Sequence, residues 1–237
     1  MSTAAGAVVL VTGATGPAGR AACAALVDAG ATVVAVGRDP ERLAALPGTH
    51  AEVADPADAS SCRELAARVR DRFGRIDGLV HLVGGWRGGP RFTANTDEDW
   101  AAMSGSSVDT LRHMSIAVHD DLVGSDRGRA VIISSTAVDS PTPGAASYAA
   151  AKAAAEMWQR AFAESLRRNQ SGRKDDPLPQ TGAAVILVVM ALVDQAMRDA
   201  EPDKPFTGFT DVAALGRQIV ALWDRDPAEL NGTRIRV

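Results

Sequence analysis

Short apolar runs alternate along the chain with longer segments in which apolar residues recur at helical spacing. The β-branched run Gly6–Thr12 predicts a strand, and it is followed by Arg20–Ala29, whose Ala, Leu and Val residues repeat with the period of a helix. A second apolar run, Thr32–Val36, comes directly after Gly30. The unit Ala7–Val36 has the length of about 30 residues that a βαβ crossover requires, so we expect a parallel sheet.

The same alternation continues to the end of the chain. Apolar runs predict a third strand just before Asp55 and further strands at Gly78–Val83, Ala130–Ile133, Ala183–Met190 and Thr233–Val237. Helical spacing predicts helices at Ser60–Phe73, within Asp97–Val123, at Tyr148–Arg168 and at Val212–Trp223. Seven strands alternating with helices describe an α/β fold, a single Rossmann-like, doubly wound parallel sheet flanked by helices.

Two stretches have the composition of loops. Asn169–Thr181, with glycine, prolines and mixed charges, is expected to be a polar surface connection rather than a functional lid. Arg198–Thr210 follows the sixth strand, on the side where ligands bind in such sheets. It is either part of a mobile substrate loop, which would comprise residues 196–210, or a plain connector.

Composition places the chain among ordinary globular proteins. Its 237 residues have no break in composition and predict one domain, residues 1–237, in which 46% of residues are apolar and 23% charged. The net charge of −4 and the scattered arginines provide no basic surface for nucleic acid or an anionic membrane. The first apolar run is short and lacks a basic flank, so we expect a cytoplasmic protein without a signal peptide or membrane span. The two cysteines lack metal-ligand spacing, which predicts packed thiols and no metal site.

The turn after the first strand, Thr12–Gly19, reads TGATGPAG. Three glycines at this spacing let the backbone turn sharply and approach a pyrophosphate, while the following helix directs its partly positive N-terminus at the same point. The position of this pattern, after the first strand of a βαβ unit, favours a dinucleotide site over a structural turn. The residues expected to contact the cofactor here are Gly13, Thr15, Gly16, Pro17 and Gly19.

The tip of the second strand bears on the choice between NAD(H) and NADP(H). An NAD-binding site usually has an acid there, whereas this chain has Gly37 followed by Arg38. A guanidinium at this place can bind a 2′-phosphate through charge-assisted hydrogen bonds. We therefore expect NADP(H), with NAD(H) as the alternative if Arg38 is only solvated and Asp39 binds the ribose. Asp55 either accepts a hydrogen bond from the adenine amino group or caps the next helix.

The single tyrosine, Tyr148, is followed four residues later by Lys152. On a helix this spacing places both side chains on one face. A phenol ionises near pH 10 and is a poor proton carrier at neutral pH, but a nearby ammonium favours the phenolate. Tyr148 is therefore a candidate acid and base for a carbonyl/alcohol pair. Ser135, after the fifth strand, either hydrogen-bonds the substrate oxygen or is an ordinary turn residue.

The glycine turn, the Tyr148–Lys152 pair, Ser135 and the alternation from Ala7 to Val237 together resemble the short-chain dehydrogenase/reductase family. The length resembles that of the compact members, whereas the TGxxGxxG spacing resembles extended and atypical ones. The resemblance implies that Tyr148 and Lys152 are catalytic, that Lys152 also holds the nicotinamide ribose, and that Ser135 orients the substrate. It also implies a homo-oligomer, a tetramer or dimer, joined through the helices in 97–123 and 148–168.

The chain departs from the family pattern after the fourth strand, in a helix and after the sixth strand. Residues 81–84 read HLVG in place of Asn-Asn-Ala-Gly, so Val83 and Gly84 keep the backbone approach to the cofactor, and His81 is expected to pack at the strand end. Ser107 stands where the family has an asparagine that holds a relay water for the lysine, and it is a candidate for the same role. Val193 is expected to contact the nicotinamide amide through its backbone, although the family's phosphate-binding threonine is absent.

These features predict an NADP(H)-dependent oxidoreductase that interconverts a carbonyl and an alcohol on a small organic substrate. One alternative is an NADP(H)-binding regulatory or low-activity relative, motivated by Ser107 and disfavoured by the intact Tyr148–Lys152 pair. An epimerase or dehydratase is suggested by the glycine spacing alone, and the C-terminal portion leaves little room for a nucleotide-sugar domain. Trp86 and Arg87 could contact an aromatic or an acidic substrate, respectively. The alternative is a flexible glycine loop that Trp86 merely anchors by apolar packing.

Overall fold

A parallel sheet forms the centre of the fold. The structure is a computed structural model that describes residues 3–237. Its strands, in chain order, are β1 (Val8–Thr12), β2 (Thr32–Gly37), β3 (His50–Val53), β4 (Gly78–His81), β5 (Arg129–Ser135), β6 (Ala183–Val189), β7 (Ala191–Val193), β8 (Phe209–Asp211) and β9 (Arg234–Arg236). The main sheet has the order β3-β2-β1-β4-β5-β6-β9 with all neighbours parallel, and β7 pairs separately with β8. The predicted doubly wound α/β fold is confirmed.

Helices cover both faces of this sheet. They are α1 (Pro17–Asp28), α2 (Pro40–Ala44), α3 (Ala59–Phe73), α4 (Asp97–Ser104), α5 (Thr110–Gly124), α6 (Ala146–Asn169), α7 (Gln195–Ala200), α8 (Val212–Ala221) and α9 (Pro227–Leu230). Alternate residues of β1 belong to two cores: Val9 and Val11 pack with α1 and α8, and Val8 and Leu10 pack with α3, α5 and α6. Burial on both faces explains why β1 is a continuous apolar run.

The topology places a crevice beside the first strand. The strand order reverses between β1, which leads to β2 and β3, and β4, which leads to β5 and β6. Crossovers on opposite faces separate at such a point, and ligands of open α/β sheets bind outside the carboxyl ends of the strands there. The ends of β1, β4 and β5 carry the glycine turn, His81 and Ser135, respectively.

The region 97–123 differs from the single helix that its periodicity predicts. A π-helical segment, Gly105–Asp109, separates α4 from α5, and Ser107 lies within it. The hydroxyls of Ser106 and Thr110 donate to carbonyl oxygens four residues earlier in the chain, at 2.7 Å each. Such side-chain bonds compete with the helical ladder, and single π-helical turns often occur at functional sites.

The segment 198–210 is not entirely loop. It contains the end of α7 and most of β8, which pairs with β7, a short strand that follows the predicted sixth strand and was not predicted. The short helices α2, α7 and α9 were not predicted, because four to six residues carry too little periodicity. Each begins at an aspartate whose carboxylate accepts backbone N–H groups, namely Asp39, Asp194 and Asp226.

Residues 3–237 contain neither a candidate membrane span nor a cluster of metal ligands, and both cysteines are buried. None of the helices in this range combines the length and apolar composition needed to cross a bilayer. In the same range, no three His, Cys, Asp or Glu side chains come together as a potential metal site. Cys23 and Cys62 are buried, and burial raises their pKa values to about 12 and about 11.

Candidate active site

The glycine turn (Thr12–Gly19) brings β1 and α1 against the end of β4. Gly13 has a φ of +72°, and a Cβ on it would lie 2.8 Å from the carbonyl oxygen of Leu82. A Cβ on Gly19 would collide with the carbonyl oxygen of Gly13. Both positions therefore require glycine, and any side chain would fill the space in front of the turn.

The start of α1 lines a cavity of about 290 Å³, which we call the glycine-turn cavity. The helix begins at Pro17, three residues before its predicted start, and its N-cap residue Gly16 makes no side-chain hydrogen bond. The first N–H groups of the helix are therefore available to an anion. Of the residues predicted to contact the cofactor here, Gly13, Gly16, Pro17 and Gly19 line this cavity and Thr15 does not.

A second cavity, of about 560 Å³, lies at the carboxyl ends of β4, β5 and β6 and is called the reaction cavity. Ser135, Tyr148 and Lys152 line it, together with Val83 and Gly84. The residues that line both cavities are Ala18, Leu82, Gly84 and Leu192. The two cavities adjoin, with backbone donors at one end and the Tyr/Lys pair at the other, and this arrangement fits an extended dinucleotide.

Tyr148 and Lys152 lie in the first two turns of α6, which starts at Ala146 rather than at Tyr148. The Lys152 Nζ atom lies 5.9 Å from the centre of the Tyr148 ring and donates a hydrogen bond of 2.9 Å to the Ile133 carbonyl oxygen. Burial lowers the pKa of Lys152 to about 8, while the charge of Glu156 acts in the opposite direction. The lysine is thus held against β5 with its charge close to the phenol.

Ser135 is buried at the end of β5. Its Oγ accepts the N–H of Ala137 at 3.1 Å, so the hydroxyl is both the predicted turn-former and a group that lines the cavity. Since Oγ acts as the acceptor in that bond, its hydrogen is available to an oxygen in the cavity. The neighbouring Ser134 is different, because its hydroxyl donates to Glu156 at 2.5 Å.

His81 is a packing residue, as expected. Its Nδ1 lies 2.7 Å from the hydroxyl of Thr12 and its Nε2 lies 3.0 Å from the hydroxyl of Thr110. The Thr110 hydroxyl donates to the Ser106 carbonyl, so it accepts from His81, which assigns the ring proton to Nε2. Burial, with the charge of Lys152, lowers the pKa of His81 to about 3, and the neutral ring ties β1, β4 and α5 together.

Ser107 is buried, and its hydroxyl has no hydrogen-bond partner among the residues described. A Cβ placed on Gly84 would lie 4.0 Å from Ser107 Oγ and 3.5 Å from Lys152 Nζ. Both polar atoms therefore approach the same point beside Gly84. An unpaired buried hydroxyl is costly, and an ordered water is the common partner for such a group.

The remaining predicted contacts have different surroundings. Arg38 is exposed at the tip of β2, and Asp39 caps α2, which gives the alternative ribose acid a structural role. Asp55 accepts the N–H of Ala57 at 3.0 Å, and α3 is capped by Asp58 instead, so the capping alternative for Asp55 was wrong. Val193 is buried in β7 and lines neither cavity.

Two arginines that the sequence did not single out converge on the glycine turn. Arg20 and Arg42 each donate to the Thr15 carbonyl oxygen, at 2.7 Å and 3.1 Å. Arg20 offered a signal, because a cation near the start of a helix opposes the macrodipole, and the first turn of α1 has no acid. Arg42 offered none, since the position of α2 beside the turn is a tertiary feature.

Asp194, also missed, brings a negative charge to the glycine-turn cavity. Its carboxylate caps α7 by accepting the Met197 N–H at 2.9 Å, and it lies 3.9 Å from Arg20. It lines the glycine-turn cavity together with the start of α1. The carboxylate therefore opposes an anion there, and Arg20 offsets part of this effect.

Trp86 and Arg87 separate in the structure. Trp86 lines the reaction cavity, and 64% of its surface is exposed. Arg87 does not line it and lies 3.8 Å from Asp99. The indole is thus available to a ligand in the cavity, whereas the guanidinium is paired with a carboxylate outside it.

The doubly wound sheet and the glycine turn at its switch point are those of dinucleotide-binding α/β proteins. A family profile described as short chain dehydrogenase matches residues 7–170. The chain therefore belongs to the short-chain dehydrogenase/reductase family, whose members are oxidoreductases that bind NAD(P)(H).

Named relatives cover different shares of the chain. A 2,3-dihydro-2,3-dihydroxybenzoate dehydrogenase from Bacillus subtilis is 31% identical over 68% of this chain and 64% of its own length. An NADP-dependent 3-hydroxy acid dehydrogenase from Salmonella typhi is 32% identical over 70% of this chain and 67% of its own. Sulfoacetaldehyde reductase 2 from Chromohalobacter salexigens is 29% identical over 97% of this chain and 93% of its own.

Solved structures share the fold. An NADPH-bound short chain oxidoreductase from Pseudomonas aeruginosa, with an atypical catalytic center, superposes with a TM-score of 0.83 at 24% identity, covering 98% of this chain and 95% of that one. NAD+-bound xylitol dehydrogenase superposes with a TM-score of 0.80 at 18% identity, covering 98% of both chains. At these identities the likeness is one of fold.

Proposed function

We propose that the protein is an NADP(H)-dependent oxidoreductase that interconverts a carbonyl and an alcohol on a small organic substrate. The observation that carries this proposal is that Ser135, Tyr148 and Lys152 line one cavity, which adjoins the cavity at the glycine turn. Substrate names do not transfer from the relatives, because a dihydrodihydroxybenzoate, a 3-hydroxy acid and sulfoacetaldehyde differ from one another.

The chain's own residues would hold the substrate oxygen and move its proton. A bound nicotinamide would supply a hydride to the carbonyl carbon, or accept one from the alcohol. Tyr148 Oη donates a proton to the carbonyl oxygen during reduction and accepts it during oxidation. Ser135 donates its free hydroxyl hydrogen to the same oxygen and stabilises the charge that develops there.

Lys152 has two tasks in this scheme. One of its three N–H groups binds the Ile133 carbonyl oxygen, which fixes the ammonium and leaves two donors for ribose hydroxyls. Its charge favours the phenolate of Tyr148. Ser107 would hold a water that passes protons between Lys152 and solvent, which satisfies a hydroxyl otherwise unpaired within residues 3–237.

The preference for NADP(H) rests on three arginines. Arg20 and Arg42 donate to the Thr15 carbonyl oxygen of the glycine turn, and Arg38 is exposed directly after β2. Arg38 and Arg42 form no ion pair with a described residue, whereas Arg20 lies 3.9 Å from Asp194. Guanidinium groups without a carboxylate partner suit the charge of a 2′-phosphate. Asp55, with a carboxylate at the end of β3, and Val193 stay predictions for the adenine and nicotinamide contacts.

We propose further that copies of the chain associate through α5 and α6, as a dimer or tetramer. Ile116 and Met157 are 57% and 63% exposed, and a cavity of about 450 Å³ between the two helices is lined by Trp158 and Phe162. Apolar surface of this kind is typical of assembly interfaces. Light scattering of the purified protein, with an Ile116→Asp variant, tests this. The expected cytoplasmic location stays a prediction.

The function is tested with the purified protein and NADPH on a panel of ketones and quinones. We expect NADPH oxidation that falls by about 10²- to 10⁴-fold in Tyr148→Phe, because the phenylalanine cannot donate the proton. Cofactor affinity, measured by calorimetry, should stay unchanged. Full activity of Tyr148→Phe would refute the assignment. Tight NADPH binding without turnover of any substrate would favour the regulatory alternative.

A further inference from the structure

The wall of the reaction cavity is largely apolar, although further hydroxyl groups line it besides those of Ser135 and Tyr148. Trp86 and Met190 stand at the rim with 64% and 48% of their surfaces exposed, and Ala145 forms a buried part of the wall. Exposed side chains of this size at a cavity favour a ligand that covers them. The indole in particular offers a flat face for offset stacking.

The cavity offers no cation for an anionic substituent. Among the described residues that line it, Lys152 alone is charged at neutral pH, since burial keeps His81 neutral. The Lys152 ammonium is bound to Ile133 and is assigned to the cofactor under the proposed function.

Three arginines in neighbouring segments are engaged with carboxylates. The pairs are Arg87 with Asp99 at 3.8 Å, Arg198 with Asp211 at 3.6 Å and Arg234 with Glu156 at 3.0 Å. A carboxylate, sulfonate or phosphate in the cavity would therefore lose water and find neutral hydroxyl donors but no free cation, which is unfavourable for a charged group.

We propose that the substrate is a neutral ketone, or the matching secondary alcohol, that carries a flat apolar group stacked on Trp86. This inference rests on the proposed function. In the reduction, the carbonyl carbon accepts a hydride from NADPH and the oxygen accepts a proton from Tyr148. The C=O double bond would become a C–OH single bond, with both electrons of the new C–H bond supplied by the cofactor's hydride, and Tyr148 would regain its proton from solvent by way of Lys152 and the water at Ser107.

The test compares two compounds that differ in charge, para-acetylbenzoate and its methyl ester. Binding of each to the Tyr148→Phe protein with saturating NADPH is measured by calorimetry, so that turnover does not enter. We expect the neutral ester to bind at least about thirtyfold more tightly than the carboxylate. Trp86→Ala should weaken ester binding about tenfold, and Trp86→Phe should restore most of it. The control Trp100→Ala, at a half-exposed indole outside the cavity, should change nothing.

The outcomes separate this inference from the proposed function. Equal or tighter binding of the carboxylate, or an ester affinity that is insensitive to Trp86→Ala, would overturn the substrate class while wild-type turnover still supported the function. If the wild-type protein reduces neither compound nor any other ketone, the function fails, and the binding comparison still decides whether the cavity selects neutral ligands.

Discussion

Lys152 Nζ donates a hydrogen bond of 2.9 Å to the carbonyl oxygen of Ile133, two residues before Ser135. This bond joins α6, which carries Tyr148, to β5, which carries the serine. The Tyr148 phenol, the Lys152 ammonium and the Ser135 hydroxyl are thereby held at fixed distances from one another, as a site for proton transfer requires. Because burial lowers the pKa of Lys152 to about 8, the charge of this link depends on pH in an accessible range.

We expect cofactor affinity to fall above pH 8. The lysine is cationic below its pKa of about 8 and loses its proton as the pH rises, so its bonds to the ribose weaken. The dissociation constant for NADPH should rise by up to about tenfold per pH unit above that value. Lys152→Arg stays charged and should remove this dependence. Calorimetric titrations between pH 7 and 9.5 measure it, and a flat wild-type profile would contradict the assignment.

Ser107→Ala should slow turnover without destabilising the protein. The variant removes a buried hydroxyl that has no partner within residues 3–237, so the free energy of unfolding should be unchanged or higher. If the hydroxyl holds the relay water, kcat should fall about tenfold or more. The control is Ser106→Ala, in the same π-helical segment, whose hydroxyl bonds only the backbone. Equal kcat values for the two variants would exclude the relay.

Arg42→Ala should weaken NADPH binding and spare NADH. A charge-assisted hydrogen bond to a 2′-phosphate contributes about 1.5–3 kcal/mol, so the NADPH dissociation constant should rise at least about tenfold. The NADH constant reports whether loss of the bond to Thr15 disturbs the glycine turn itself. Arg63→Ala, an exposed arginine on α3, is the control. Parallel losses for both cofactors would assign Arg42 a structural role only.

Asp194→Asn should tighten binding of either cofactor. Asparagine caps helices as well as aspartate, so α7 should persist, while a negative charge leaves the glycine-turn cavity. Repulsion between screened charges a few ångströms apart is on the order of 1 kcal/mol, which predicts an affinity about fivefold higher. Asp211→Asn removes the charge of a comparable cap on α8, outside that cavity, and should have no effect. Weaker cofactor binding in Asp194→Asn would mean that the aspartate supports binding by orienting Arg20.

Arg234→Met should destabilise the fold. Arg234 Nε donates to both carboxylate oxygens of the buried Glu156 at 3.0 Å, so its removal leaves that carboxylate without its closest cation. Breaking a buried pair in this way costs about 3–5 kcal/mol, whereas the double variant with Glu156→Leu should recover most of it. Urea unfolding measures both, with the exposed Arg236→Met as control. A single variant as stable as the wild type would mean that the pair contributes little.

Several features of the site were readable from the chain because they depend on neighbours in sequence. The spacing of Tyr148 and Lys152 fixes them on one face wherever α6 lies, and the glycine spacing of Thr12–Gly19 fixes a turn that admits no side chain. The alternation of strand and helix likewise follows from local periodicity, and what was missed were element ends, the short helices, the strands β7 and β8 and the π-helical segment. These are short-range effects, so the order of residues alone determines them.

Other features were decided by the tertiary structure. Arg42 reaches Thr15 across 27 positions, and Arg234 reaches Glu156 across 78. His81 is neutral because its burial and the nearby charge of Lys152 lower its pKa. The sequence could not show that Trp86 lines the reaction cavity whereas Arg87 does not and lies 3.8 Å from Asp99. Such pairings depend on which strands and helices become neighbours and on what their burial removes from water, and no local pattern encodes either.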